Sequence, residues 1–220
     1  MRAVGALPIL APTIEFGPPD DASRADFVAA RAADYAWIVF TSVHGVDAFF
    51  ARANGVARGA GRIAAIGAKT AARVARFGAK ADLVPAEAIE ESLAAALIER
   101  GDSGDRIAIF RAQEARQALP DLLRAAGRSV DDVAAYATRA VHDPALAGAA
   151  QSADVWTFTS GSTVRGLIEN VPLAQELATA KIVACIGPVT ADAARACGLP
   201  VHATAAAHDV DGLLAALECV

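Results

Sequence analysis

Short apolar runs alternate along the chain with longer segments in which apolar residues recur at helical spacing. The runs predict strands at residues 37–41, 62–66, 106–110, 133–136, 155–159 and 181–186. The segments between them have the period of helices. Strands and helices in this alternation are typical of an α/β fold with a mostly parallel sheet.

Glycine follows four of the predicted helices. These helices cover residues 68–77, 91–100, 116–126 and 188–197, and they end at or near Gly78, Gly101, Gly127 and Gly198. A left-handed residue often ends a helix, and glycine adopts that conformation without a steric penalty. The pattern therefore predicts left-handed glycine caps at these four positions.

The chain also repeats itself at a nearly constant offset. FTSVHGV at 40–46 returns 118 residues later as FTSGSTV at 158–164, and AAIGAKTAARVARFG at 64–78 aligns at an offset of 120 with ACIGPVTADAARACG at 184–198. The same offset of 120 residues pairs SLAAAL (92–97) with GLLAAL (212–217), and an offset of 122 places RAVG (2–5) on RAAG (124–127). Agreement between separate blocks indicates an internal duplication, and hence two similar α/β lobes.

The duplication predicts that a strand and a helix are missing before the first copy. In the second copy, RIAIFRAQEARQALPDLL precedes the RAAG stretch, and its counterpart would lie before Met1. Met1 would then lie in the last turn of a helix. Truncation at the N-terminus is the interpretation we favour, and divergence of the first copy is the alternative.

Composition sets broad limits. A chain of 220 residues with 55% hydrophobic and 20% charged residues is typical of a globular protein. It has no apolar stretch of membrane-spanning length and no signal-peptide pattern, which favours the cytoplasm. The net charge of −5 argues against general affinity for nucleic acid, and three cysteines without CxxC spacing favour reduced thiols.

Small hydroxyl and glycine residues lie where predicted strands lead into helices. The first backbone N–H groups of a helix lack partners and carry a positive dipole, so such turns can bind anions. For any single residue, capping of the helix is the simpler interpretation. Four such turns in two pairs favour a shared anion-binding cleft between the lobes. The hydroxyl residues of the turns are Thr41, Ser42, Thr70, Thr159, Ser160, Ser162 and Thr190.

Other motifs fail on spacing. GAKT at 67–70 does not match a phosphate-binding loop, and GAGRIA lacks the third glycine of a dinucleotide fingerprint. The histidines form neither HExxH nor a cluster with the cysteines, so we expect no metal site. No GxSxG motif indicates a serine hydrolase.

Six stretches, in this order, resemble the uroporphyrinogen-III synthase family: WIVFTSVHGVDAFF, IAAIGAKTAARVARFG, IFRAQEARQALPDLLRAAG, VAAYATRAV, FTSGSTVRGL and IVACIGPVTADAARACGLPV. The family has two similar α/β lobes with parallel sheets, and its members usually begin with one further strand and helix. The resemblance implies that the chain crosses between lobes twice, near the prolines at 12–19 and 141–144. One lobe would contain residues 1–13 and 143–220, and the other 14–142, with two adjacent linkers acting as a hinge.

The resemblance also implies a reaction without a cofactor. The family closes hydroxymethylbilane, a linear tetrapyrrole with eight carboxylates, into uroporphyrinogen III while inverting the last pyrrole ring. Loss of the terminal hydroxyl as water gives an azafulvene, and attack by the substituted carbon of the last ring gives a spiro intermediate. That intermediate fragments and recloses. Such an enzyme is a lyase that acts by positioning the ends and stabilising transient charge.

Tyr136 is the expected catalytic residue, because it matches the tyrosine that the family places near the departing hydroxyl. Its counterpart in the first copy is Ile14, so the phenol is present in one copy only. The hydroxyl residues of the turns, with Gly67 and Gly187, are the expected substrate-binding residues. Arg111 and Lys181 add positive charge that could meet a carboxylate, although both could equally be solvated.

Two other functions remain open at the level of the sequence. A two-lobed binding protein would share the duplication but would bind without turnover. An inactive homologue could serve as a scaffold or a small-anion sensor, and the short N-terminus keeps this alternative open. We expect a monomer whose ligand is the linear tetrapyrrole, with a transient contact to the preceding pathway enzyme conceivable. No nucleic-acid or membrane partner is expected.

Overall fold

A computed structural model of the chain describes residues 5–53 and 61–220. The strands among these residues are β1 (Ile14–Gly17), β2 (Trp37–Phe40), β3 (Arg62–Ala65), β4 (Arg106–Ala112), β5 (Ser129–Ala140), β6 (Val155–Phe158), β7 (Ile182–Cys185) and β8 (Ala203–Thr204). The first five α-helices are α1 (Ser23–Ala30), α2 (Val43–Arg52), α3 (Ala68–Arg76), α4 (Glu90–Arg100) and α5 (Ala118–Ala125). The remaining ones are α6 (Ala145–Ser152), α7 (Gly161–Asn170), α8 (Ala174–Ala178), α9 (Pro188–Ala196) and α10 (Val210–Leu217).

The chain divides into two compact units. Unit 1 contains the described residues up to Glu15 together with Thr138–Val220, and unit 2 contains Phe16–Ala137. Both boundaries fall inside strands, β1 and β5. The predicted lobes, residues 1–13 with 143–220 and residues 14–142, stay a prediction. Their boundaries lie close to those of the two units.

The described residues of unit 2 lie around a sheet with the strand order β1-β5-β4-β2-β3. β2 pairs in parallel with both β3 and β4, and β4 pairs in parallel with β5. Phe40, the last residue of β2, lies opposite Ala65 and Phe110. The prediction of an α/β fold with parallel sheets is therefore confirmed, and the carboxyl ends of these strands meet at one edge.

Helices cover both faces of this sheet. Ile38 and Phe40 belong to a buried cluster with side chains of α1, α2 and α3. Trp37 and Val39 belong to a second buried cluster with side chains of α4 and α5. Because successive side chains of a strand point to opposite faces, the continuous apolar run of β2 reflects a strand buried on both sides.

The strand order reverses between β2 and β4. From β2 the chain moves outward to β3, whereas from β4 it moves in the other direction to β5. Two loops therefore diverge at the carboxyl edge between these neighbouring strands. Open α/β sheets bind their ligands at such a switch point.

Unit 1 repeats this arrangement on a smaller scale. Its described residues form a parallel sheet with the order β6-β7-β8. Buried side chains of α6, α7, α8 and α9 pack with β6 and β7, while Leu213 of α10 packs on Ala184 of β7 and Ala203 of β8. Among the described residues β6 has one strand neighbour, β7, whereas its counterpart β2 has two.

Backbone angles agree with the predicted duplication. Gly78 and Gly198, which the offset of 120 aligns, have φ values of 76° and 77°. Gly5 and Gly127, aligned by the offset of 122, have φ values of 78° and 77°. The predicted position of Met1 in the last turn of a helix lies outside the described residues.

The structure corrects two local predictions. Gly101 follows α4 with φ −102° and ψ 162°, an extended conformation, so the predicted left-handed cap is wrong there and right at Gly78, Gly127 and Gly198. The strand predicted at 133–136 is the centre of β5, a strand of 12 residues.

None of the described helices combines the length and the apolar character that crossing a membrane requires.

Candidate functional site

The turn from β2 into α2 lies at the switch point of unit 2. Ser42 is the N-cap of α2, with an extended backbone (φ −159°, ψ 161°), and its side chain accepts a hydrogen bond of 3.0 Å from the Gly45 N–H. Gly45 packs against the end of β4, because a Cβ added there would lie 2.5 Å from the Phe110 carbonyl oxygen. The predicted cap at Ser42 is thus present, and a glycine holds the start of α2 against β4.

Tyr136 comes to the same edge from β5. It lies opposite Ala112, the last residue of β4, just after a bulge between Arg111 and Ala112. Its carbonyl accepts a hydrogen bond of 2.8 Å from the Gln113 N–H. The fold therefore places the phenol beyond the carboxyl end of β4, beside the Ser42 turn.

The Tyr136 phenol is held in its protonated form. Burial raises its pKa above the usual 10.0, a hydrogen bond with the Ser42 hydroxyl acts in the opposite direction, and the negative charge of Glu114 adds to the rise. Because the rise prevails, the phenol keeps its proton at neutral pH and can donate it or a hydrogen bond. Ser42 and Tyr136, both predicted from the sequence, are thus in contact.

Two aromatic rings complete this site, and sequence reasoning did not identify either. The ring of Phe16 is stacked on His44, with centroids 3.8 Å apart and an interplanar angle of 27°. The Tyr136 ring lies 5.7 Å from Phe16 and 5.4 Å from His44. His44 lies inside the repeated FTSVHGV stretch, which is the signal that could have identified it. Phe16 comes from β1, for which no comparable signal exists.

The second turn of unit 2 leads from β3 into α3. Gly67 is the N-cap of α3, with φ −167° and ψ 175°, and it follows β3 at the same edge as Ser42. Thr70 is buried, with 5% of its surface exposed. Its hydroxyl therefore faces the protein, and the backbone amides at the start of α3 are the groups that the turn offers to a ligand.

The turns of unit 1 have nearly the same backbone. Ser160 caps α7 with φ −163° and ψ 161°, and it forms a capping box with Thr163. Gly187 caps α9 with φ −179° and ψ 174°. Thr159 is exposed, and Thr190 is buried with 5% of its surface exposed.

Side chains around these unit 1 turns differ from those in unit 2. The Ser162 hydroxyl accepts a hydrogen bond of 3.3 Å from Arg165. A Cβ on Gly187 would lie 3.1 Å from the ring of His208, whereas a Cβ on Gly67 would lie 3.0 Å from the methyl group of Ala88. The turns therefore share their main chain and differ in the groups beside it.

Two predicted substrate-binding residues, Arg111 and Lys181, bond to other groups of the protein. Arg111 is 2% exposed, and its Nε and Nη2 each donate to an oxygen of Asp132 at 2.6 Å, while Nη1 donates to the Arg116 carbonyl. Lys181 precedes β7, at the amino end of the strand, where its Nζ donates to the Gln151 carbonyl at 2.8 Å. The first side chain is buried in an ion pair, and the second lies at the opposite end of its strand. That the turns of both units face one cleft stays a prediction.

Comparisons with known proteins are consistent with one family. The sequence model described as Uroporphyrinogen-III synthase HemD matches residues 1–215. A uroporphyrinogen-III synthase from Synechococcus elongatus is 32% identical over 234 aligned positions, which cover 99% of this chain and 88% of the relative.

Solved structures show the same fold. The chain matches a mutant uroporphyrinogen III synthase from the bacterium Thermus thermophilus with a TM-score of 0.63 and 21% identity, covering 99% of this chain and 90% of that one. It matches uroporphyrinogen-III synthetase from Helicobacter pylori with a TM-score of 0.67 and 17% identity, covering 97% and 96% of the two chains.

Proposed function

Because the chain belongs to the uroporphyrinogen-III synthase family, we propose that it converts hydroxymethylbilane into uroporphyrinogen III, with Tyr136 at the centre of the reaction. The observation that carries this assignment is the contact between Tyr136 and Ser42 at the switch point of unit 2. A protonated phenol beside the start of a helix combines a proton donor with an anion-binding turn.

Tyr136 acts on the departing hydroxyl. The phenol donates to the terminal hydroxyl of hydroxymethylbilane as the bond from carbon to oxygen breaks, so that water leaves and an azafulvene cation remains. The substituted carbon of the last pyrrole ring then attacks this cation, and the spiro intermediate fragments and recloses with the ring inverted. The proton that the pyrrole carbon loses on rearomatisation goes to the Tyr136 phenolate and regenerates the phenol, so the net change is ring closure with loss of one water.

Main-chain amides hold the carboxylates. The starts of α2 and α3 in unit 2 present N–H groups beyond the carboxyl ends of β2 and β3, and α7 and α9 in unit 1 begin with the same backbone conformation. Such groups attract carboxylates even in a chain with a net charge of −5. Positioning of the two ends of the substrate is what favours inversion over direct closure.

The proposed reaction is that of a lyase, since water leaves without hydrolysis or oxidation. Every step moves a proton or exchanges one carbon bond for another, and none changes the redox state of the substrate. The chemistry thus needs only a proton donor and stabilisation of transient charge.

Isomer analysis tests the function directly. The protein is mixed with freshly generated hydroxymethylbilane, and the uroporphyrinogen isomers are separated after oxidation. We expect the inverted type III isomer. Accumulation of the uninverted type I isomer alone, at the rate without protein, would refute the proposed function.

A tyrosine substitution tests the assigned role. We expect Tyr136→Phe to lower kcat by about 10- to 100-fold with little change in KM, because positioning by the amides survives the loss of the proton donor. Tyr35→Phe is the matched control, since Tyr35 is the other tyrosine of the chain and bonds to Asp131 on the same sheet. Equal kcat values for the two variants would remove Tyr136 from the mechanism.

A further inference from the structure

An exposed aromatic ring lies next to the proposed proton donor. Phe16 is 49% exposed, although it packs flat on His44 and edge-on to Tyr136. The interplanar angle between Phe16 and Tyr136 is 73°. The ring of Phe16 is thus held on one side by His44, while the residue as a whole stays about half exposed.

Three separate elements build this arrangement. Phe16 comes from β1, His44 from the first turn of α2, and Tyr136 from β5. The cap at Ser42 and the close approach of Gly45 to β4 fix the turn that carries His44. The orientation of the Phe16 ring therefore depends on the same turn that contacts the Tyr136 phenol.

Resting on the proposed function, we infer that the exposed face of Phe16 binds the pyrrole ring that carries the departing hydroxyl. Loss of that hydroxyl beside Tyr136 leaves a flat, positively charged azafulvene. The face of a phenyl ring attracts such a cation through its quadrupole. Phe16 would thereby stabilise the charge that develops as the bond breaks.

The electrostatic surroundings suit a cation. The negative charge of Glu114 acts on Tyr136, and because the phenol is half-buried, solvent screens that charge less than it would at the open surface. The aromatic face acts on a charge that is absent from the substrate and present in the transition state. Removal of this aromatic face should therefore lower kcat more than it raises KM.

The test compares two exposed phenylalanines of unit 2. Phe16→Leu removes the proposed subsite, and Phe27→Leu is the matched control, because Phe27 is 54% exposed and lies on α1 against Arg31. Phe16→Tyr keeps the aromatic face, and Phe16→Met is a second variant without one. Steady-state rates with hydroxymethylbilane and the ratio of type III to type I isomer are measured, and thermal unfolding confirms that each variant is folded.

We expect Phe16→Leu and Phe16→Met to lower kcat about tenfold with KM within about twofold, and to raise the fraction of type I isomer. Phe16→Tyr and Phe27→Leu should keep near wild-type rates. Equal rates for the leucine variants at 16 and 27, or a rise in KM alone, would overturn the inference. A wild-type protein that gives no type III isomer would instead overturn the proposed function, and this inference with it.

Discussion

Ser42 performs two tasks at the switch point, and replacing it with alanine separates them. The side chain accepts from the Gly45 N–H and also bonds to the Tyr136 phenol. Loss of an N-cap hydroxyl costs about 1 kcal/mol, which is about a fivefold change in the folding equilibrium. The same substitution removes the bond that holds down the pKa of Tyr136, so that pKa should rise further.

The duplication supplies a matched control for this substitution. Ser160 caps α7 with nearly the same backbone angles and accepts from the Thr163 N–H at 3.2 Å. Both tyrosines of the chain belong to unit 2. Ser160→Ala should therefore cost a similar free energy of unfolding without touching the titration of Tyr136.

Two measurements distinguish the tasks of Ser42. Equilibrium unfolding in urea gives the free-energy loss of each alanine variant. The near-ultraviolet absorbance of tyrosinate, recorded against pH in a Tyr35→Phe background, reports Tyr136 alone. We expect losses of about 1 kcal/mol in both variants, with a higher pKa and a severalfold lower kcat only for Ser42→Ala.

The reasoning would be refuted if Ser42→Ala left the Tyr136 titration unchanged, or if Ser160→Ala shifted it equally. In the first case the phenol would not depend on the cap. In the second case the shift would come from general loosening of the fold.

Other changes act on the framework of unit 2. Gly45→Ala should destabilise by about 1–2 kcal/mol in urea unfolding, because its methyl group would meet the Phe110 carbonyl at 2.5 Å. Asp132→Asn should cost about 3 kcal/mol in the same assay, because it leaves the buried Arg111 without its ion pair. Burial, and then the hydrogen bond and charge of Asp131, raise the pKa of Tyr35 to about 12, so the free energy of unfolding should fall as pH rises from 10 to 12.

Each of these predictions has a control. Gly148→Ala, in α6 with no atom within 4 Å of the added methyl group, should stabilise slightly where Gly45→Ala destabilises. Asp121→Asn removes an exposed ion pair and should cost little. Tyr35→Phe should show a smaller alkaline loss than the wild type, because only Tyr136, whose pKa is also raised, then contributes to it. The packing argument would be contradicted if Gly45→Ala raised the free energy of unfolding, and the ion-pair argument if Asp132→Asn left it unchanged. The titration argument would be contradicted if the free energy of unfolding of the wild type did not change between pH 10 and 12.

The sequence predicted most strands of the α/β fold because their apolar runs are buried on both faces. It placed the core of β5 and missed its amino-terminal part, where Asp131 and Asp132 disfavour a strand. Tyr35 donates to Asp131 at 2.6 Å, and Arg111 bonds to Asp132. Those partners are distant in sequence, and they make the two carboxylates acceptable within the strand.

The candidate site was predictable in part for the same reason. Repetition identified the caps at Ser42 and Ser160, since a cap is a local feature of a strand-to-helix turn. Burial of Arg111 depends on its contact with Asp132, and the position of Phe16 depends on sheet order. Neither relation is visible in a local pattern, so sequence reasoning assigned the first to the ligand and did not find the second.

The helix starts at Ser42, Gly67, Ser160 and Gly187 have one consequence for mutagenesis of this chain. The groups they present are peptide N–H groups, and truncation of a side chain leaves every one of them in place. An alanine scan would therefore underestimate how much these helix starts contribute to substrate binding. Proline substitutions within the first turns of α2, α3 and α7 delete an amide and would reveal the contribution that such a scan misses, whereas α9 already begins with Pro188.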